Sequence, residues 1–310
     1  LRVWRIKRGR VDRAASPPQQ IAEVKAVACE PPSEGAPLSR RSTADVHRLV
    51  LRRGICDASQ STIVRWLRED AIRPWQCRSW IFPTDPDFAQ KAGRILDLYQ
   101  GRWDGKLLEP GDCIISADEK PSIQARRRVC ETLPPAAGVR RGQRVEHTYK
   151  RGGALTYLAA WDVRRGRVFG RTESKGGIAP FDRLVHQIMT TEPYASARRV
   201  FWIVDNGSSH RGKKSVRRLQ ARWPNLILVH TPVHASWVNQ IEIYFSIVQR
   251  KVLTPNDFDS LTAVAQRLTD FEHLYNEIAE PFGWNFTREK LDEWLNRIAA
   301  RQAAQLALAA

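Results

Sequence analysis

The chain is poor in several things, and each scarcity removes a class of protein. Its 310 residues include five cysteines, Cys29, Cys56, Cys77, Cys113 and Cys130. The number is odd and none forms a CxxC pair, which argues against a disulfide framework and against a cysteine-based zinc site. They read as reduced thiols. No apolar run approaches the ~18–20 residues of a membrane span, and the opening LRVWRIKRGR lacks the apolar stretch of a signal peptide. The expectation is a cytoplasmic protein with no membrane partner. Methionine is confined to Met189, so the sequence reads as a fragment or as a chain without its initiator. Negative charge is scarce too: 33 Asp and Glu stand against 50 Lys and Arg, a net +17. That excess points to a polyanionic partner, nucleic acid before a membrane surface. Hydrophobic residues are not scarce. At 42%, with 27% charged, they are enough for one large domain or two and speak against disorder, collagen and coiled coil.

Residues 1–40 combine basic residues with Pro17, Pro18, Pro31, Pro32 and Pro37, and only IAEVKAVACE within them looks helical. They read as a lead-in. Over 41–73 the pattern sharpens. Ser42 and Asp45 resemble a capping box, Val46, Leu49 and Val50 fall at helical spacing, and Gly54 ends a helix expected over 43–52. Ser59 caps a second helix with Ile63, Trp66 and Leu67 inward, leaving Ser61, Thr62, Arg65 and Arg68 on the outer face where a recognition helix would meet DNA. An ordinary helical hairpin with a solvated polar face fits this pattern equally. Residues 74–110 open with the proline-rich PWQCRSWIFPTDP, read as a linker, and continue into a packing helix marked by Phe88, Ala92, Ile95, Leu96 and Tyr99.

Residues 111–290 have the rhythm of a mixed α/β domain. Strands are expected at 113–118, 155–162, 167–171, 199–205 and 225–230, with an amphipathic helix through Phe181, Leu184, Val185, Ile188 and Met189, and a central sheet covered on both faces. Residues 291–310 read as a helical tail. Two strands, CIISAD and RVFWIVD, end in an aspartate, Asp118 and Asp205, where a rigid scaffold can present a carboxylate to the crevice at a sheet's carboxyl edge. Either residue alone could simply begin a turn. Glu242 borders the apolar stripe of a helix through Val238, Ile241, Phe245, Val248 and Val252.

These three blocks, ISADEK, IVDNGSSH and HTPVHASWVNQIEIYF, resemble the acidic blocks of DDE transposases of the mariner superfamily, in their bacterial insertion-sequence branch (IS 630 group). The resemblance runs from about residue 40 to 290, and the Asn239-to-Glu242 spacing followed by Tyr244 and Phe245 is its most distinctive part. It implies a ribonuclease-H-like fold preceded by a helix-turn-helix module, with residues 1–40 the remnant of a truncated first DNA-binding unit. It also implies a catalytic and metal-binding triad of Asp118, Asp205 and Glu242, with 86 and 36 residues between successive members. Three carboxylates of this kind hold two Mg²⁺ ions, which Mn²⁺ can replace, for phosphodiester hydrolysis and 3′-hydroxyl strand transfer. The partners implied are double-stranded element ends and target DNA, at TA steps whose flexibility suits them to deformation, with a dimer in the DNA complex and a bacterial, nucleoid-associated location. Two other readings remain: an inactive relic that only binds DNA, and a ribonuclease-H-like nuclease without strand transfer.

Asn206, His210 and Asn239 stand beside the triad in sequence and are candidates for ordering the site or only for capping turns. Glu119 should point away from Asp118, because successive strand residues face opposite sides. Asp162 reads as a turn former, and His230 with His234, separated by Pro232, makes a poor zinc pair. Three basic clusters are expected near the crevice: Arg126, Arg127 and Arg128; Arg140, Arg141 and Arg144; and Arg211, Lys213 and Lys214 with Arg217 and Arg218.

Overall fold

The computed structural model describes residues 17–32, 37–76, 83–138, 142–207, 210 and 212–309. Arg140, Arg141, Arg211 and the linker residues 77–82 lie outside the described residues. The chain divides into two units, Leu1–Ile81 and Phe82–Ala310.

The first unit contains helices α1 (Pro18–Cys29), α2 (Thr43–Arg52) and α3 (Gln60–Glu69). Ser42 and Asp45 form the expected reciprocal capping box, and the Ser59 hydroxyl accepts from the Thr62 amide at 3.3 Å. Gly54 takes the left-handed turn after α2 at φ 66°. Helix α1 is the helical stretch expected at IAEVKAVACE, and prolines mark its ends: Pro18 occupies its first turn, where no amide partner is lost, and Pro31 and Pro32 follow its last residue. Val24 and Val27 of α1 share a core with Val46, Val50, Ile63, Trp66 and Leu67. Among its described residues, α1 thus joins α2 and α3 in one core. Buried Arg41 closes the carboxyl end of α1, donating to the carbonyls of Val27, Glu30 and Pro31 at 2.9–3.0 Å.

In the second unit, α4 (Phe88–Tyr99) and a small hairpin, β1 (Arg102–Trp103) and β2 (Lys106–Leu107), precede a five-stranded sheet. Its strands are β3 (Asp112–Arg128), β4 (Tyr149–Asp162), β5 (Arg167–Glu173), β6 (Arg199–Val204) and β7 (Leu226–His230), in the order β5-β4-β3-β6-β7. β3, β4 and β5 run antiparallel, whereas β6 and β7 are parallel to β3. Alternation along the strands divides the core. Ile114, Tyr157, Ala159, Trp161, Phe201 and Ile203 pack under α4, α7 (Ile241–Lys251), α8 (Leu261–Ile278) and α9 (Arg288–Ala309). Ile115, Ala117, Leu158, Ala160, Trp202 and Val204 face α5 (Ile178–Met189) and α6 (Gly212–Arg222). The mixed sheet with helices on both faces is as expected.

One strand differs from its sequence reading. CIISAD does not close on Asp118: β3 continues to Arg128, still paired with β4. Pro121 and Ser122 look like a strand end in sequence, yet they form a bulge between Lys120 and Ile123, with Ser122 at φ 59°. Arg126, Arg127 and Arg128 consequently lie on the sheet.

Candidate active site

The parallel partner of β3 runs out early. β6 pairs with β3 only from Asp112 to Ser116 and ends at Val204, so Asp118 and Asp205 stand just beyond the last paired residues of two adjacent strands. Ile114, Ser116 and Asp118 share one strand face, and Phe201, Ile203 and Asp205 follow the same alternation, which directs both acids toward the α7 side. Both line a pocket of about 360 Å³ with Pro121, Gly176, Gly177, Gly207 and His210. Glu119 also lines it, from the opposite strand face. A Cβ on Gly176 would fall 2.1 Å from the Glu119 carboxylate, which would have to move aside.

Asp205 is held on two sides. Its Oδ1 accepts from the Gly207 amide at 2.8 Å and from His210 Nε2 at 2.5 Å. The His210 bond holds the Asp205 carboxyl below its ordinary range, against the opposing effect of burial. His210 is itself buried, its ring tilted against Phe181 with centroids 4.8 Å apart, and its carbonyl accepts from His230 Nε2 at 2.9 Å. That bond gives His230 a structural role in the loop.

Asp118 is perturbed the other way. Burial first, then the nearby charges of Asp205 and Glu242, push its carboxyl up to about 7, opposed by the Glu119 amide that its Oδ1 accepts at 2.7 Å. Glu242 lies in the first turn of α7 and is half-buried. Its placement rests on Asn239, Ser116 and Tyr99. Buried Asn239 accepts from the Ser116 hydroxyl and donates to the Ala117 carbonyl at 3.0 Å. Ser116 in turn accepts from the Ile241 amide at 3.2 Å. The Tyr99 hydroxyl donates to the Val238 carbonyl at 2.9 Å and accepts from the Gln240 amide at 3.2 Å. The start of α7 is thus fastened to β3 next to Asp118. Ser116 and Tyr99 escaped notice because their partners lie more than a hundred residues away, and no local pattern announces such a bond.

Asn206 donates to the Thr231 carbonyl at 2.8 Å, tying the loop after β6 to the end of β7. Asp162 is a turn former as expected: one oxygen accepts from the amides of Arg164 and Arg165, and the other from the Tyr194 hydroxyl at 2.6 Å. Among the expected DNA contacts, Ser61 and Thr62 share hydroxyl bonds of 2.9 Å with Ser59 at the head of α3, and Arg65 and Arg68 are exposed. Lys213 and Lys214 are exposed on the first turn of α6. Arg127 is exposed and ion-paired with Asp259 at 3.4 Å, whereas Arg126 and Arg128 are half-buried.

Among the described residues, no three His, Cys, Asp or Glu side chains lie close enough together to hold a metal ion. The donor chemistry nevertheless fits a hard divalent cation, because Asp118, Asp205 and Glu242 offer only carboxylate oxygens and their mutual repulsion raises Asp118.

Residues 122–265 match the family model described as DDE superfamily endonuclease, a stretch that begins after Asp118 and contains Asp205 and Glu242. The fold is similar to that of solved structures of the Mos1 mariner transposase. The paired-end complex of that protein with Mn aligns at 14% identity and TM-score 0.55, over 87% of this chain and 75% of that one. Its paired-end complex with Mg gives the same identity and score over 96% and 83%. The Mos1 strand transfer complex aligns at 13% identity and TM-score 0.53, over 93% and 80%. No curated protein sequence matches the chain significantly.

Proposed function

We propose that the chain is a DNA transposase that cuts phosphodiester bonds at the ends of a mobile element and joins the freed 3′-hydroxyl to target DNA, with TA steps as the preferred target. The carrying observation is the placement of Asp118 and Asp205 in one pocket, just past the point where the pairing of β3 with β6 stops, with the charge of Glu242 close enough to act on the Asp118 carboxyl. The endonuclease family match and the mariner fold support the same reading.

Asp118, Asp205 and Glu242 are the residues that would hold two Mg²⁺ ions, or Mn²⁺ in their place. Bound there, the metal pair would activate the attacking oxygen and stabilise the departing one. His210 and the Gly207 amide fix one Asp205 oxygen and leave its partner oxygen for the site. Ser116, Asn239 and Tyr99 hold the start of α7, and with it the backbone of Glu242, against β3. No protein nucleophile is required. Helices α2 and α3 would form a helix-turn-helix that binds element ends through Arg65 and Arg68, and two copies acting on two ends would make a dimer on DNA. A cytoplasmic, nucleoid-associated location in a bacterium follows from this reading.

The openness of the acid cluster favours one competing reading, a relic that binds DNA without cutting it. Strand transfer separates the two. A pre-cleaved element end with a free 3′-hydroxyl, a TA-containing plasmid and Mg²⁺ should give joined product with the wild type. Folded protein that binds the DNA and yields no product would favour the relic.

A further inference from the structure

A second pocket, of about 460 Å³, adjoins the acidic one, and Pro121 in the β3 bulge lines both. Its charge is opposite. Lys120, Arg126 and Arg128 line it together with the amides of Gln124 and Asn256 and the hydroxyl of Thr254, and among the described residues no carboxylate does. Half-buried cations gathered in a concave site repel one another and are costly to desolvate unless an anion joins them.

The arginines are held in place. Arg126 and Arg128 lie 4.8 and 5.2 Å from the Tyr149 ring centre. Arg128 donates to the carbonyls of Asn256 at 3.2 Å and Glu146 at 2.5 Å, contacts that leave its charge uncancelled by direct pairing. The Glu146 carboxyl is close enough to feel Arg128, but it is engaged with the Thr148 amide and does not line the pocket. Asn256 braces the strand from the turn after α7, accepting from the Arg126 amide at 3.1 Å and donating to the Gln124 carbonyl at 2.8 Å. Such bracing lets the guanidinium groups meet an anion without first losing side-chain freedom.

We infer that this pocket holds the phosphodiester backbone of the DNA flanking the reacting phosphate. The inference rests on the proposed DNA chemistry of the adjoining acids and gives their substrate a direction. Arg126 follows Asp118 by eight positions on the same strand. At ~3.3 Å per residue that is ~25 Å, or about seven base pairs of duplex. Lys120 meets the backbone beside the acids and Arg126 and Arg128 meet it farther out. Arg127, outward and paired with Asp259, takes no part.

Anisotropy of a labelled 30-base-pair duplex, titrated with the full chain in chelator over a range of salt, tests this. Each phosphate contact contributes ~0.9 to the slope of log affinity against log salt. Arg126→Gln/Arg128→Gln should therefore flatten the slope by about two, roughly a tenfold smaller change in affinity across a fourfold change in salt. Lys120→Gln, whose side chain makes no hydrogen bond among the described residues, should flatten it by about one and keeps the test open if the arginine variant fails to fold. Arg127→Gln should leave the slope nearly unchanged. A merely structural role for the arginines would alter thermal stability without altering the slope. Wild-type slopes in Lys120→Gln and in a folded arginine variant would overturn the pocket while leaving the acids' chemistry standing. No salt-dependent binding by the wild type would overturn both.

Discussion

At the scale of single residues the site depends on how tightly Asp205 is held. A Cβ at Gly207 would lie 2.9 Å from Asp205 Oδ1 and 3.1 Å from the His210 ring, so both side chains would have to yield by a few tenths of an ångström. Gly207→Ala should lower the cleavage rate by about 10–100-fold while the melting temperature stays near that of the wild type. A rate equal to the wild type would show that Asp205 need not be held there. Asp118 adds a pH dependence of definite sign. With its carboxyl at about 7, it carries a proton below that pH and is an anion above it. A divalent cation competes with that proton, so apparent Mg²⁺ affinity should fall as pH drops through 7, readable as a rising metal requirement for cleavage. The meeting of Asp118 and Asp205 in one pocket was expected from the sequence, because an apolar run followed by Asp is a local pattern. Ser116 and Tyr99 were not, since only the folded chain brings them to the start of α7.

Among the elements, α7 matters most to the site, and its fastening is a buried hydrogen-bond network. Asn239→Ala would leave the Ser116 hydroxyl and the Ala117 carbonyl without their present partner, at a cost of about 1–3 kcal/mol. Activity should fall beyond what the stability loss explains, because the Glu242 end of α7 is freed. Helix α8 offers a test independent of the site. Its Glu272 is pushed up to about 7 by burial, against the Gly170 amide it accepts and the charge of Arg167. The folded chain therefore binds this proton more tightly than the unfolded chain, and stability from Glu272 is lost as pH rises from about 4.5 to about 7. Glu272→Gln should be more stable than the wild type at pH 8, by about 1–3 kcal/mol, with the advantage gone near pH 4.5, as measured by denaturant titration at both pH values. Helices α2 to α5 could be read from sequence because caps and apolar stripes are written locally. The full length of β3 could not, because a bulge at Pro121 and Ser122 mimics a strand end.

For the whole molecule, the net charge of +17 gains a location. Its most organised expression in the second unit is the pocket of Lys120, Arg126 and Arg128, which meets the acidic pocket at one bulge in one strand. Composition could announce a polyanionic partner, but a bulged strand that sets cations beside acids is a property of the fold. The central claim is that Asp118, Asp205 and Glu242 act as one metal-dependent unit on DNA. Nicking of supercoiled plasmid in Mg²⁺ tests it most directly, comparing the wild type with Asp118→Asn, Asp205→Asn and Glu242→Gln, each checked for fold and DNA binding. The wild type should nick the plasmid unless chelator is present, and every variant should lose at least about a hundredfold in rate. Nicking that persists in all three, or that ignores chelator, would contradict the claim.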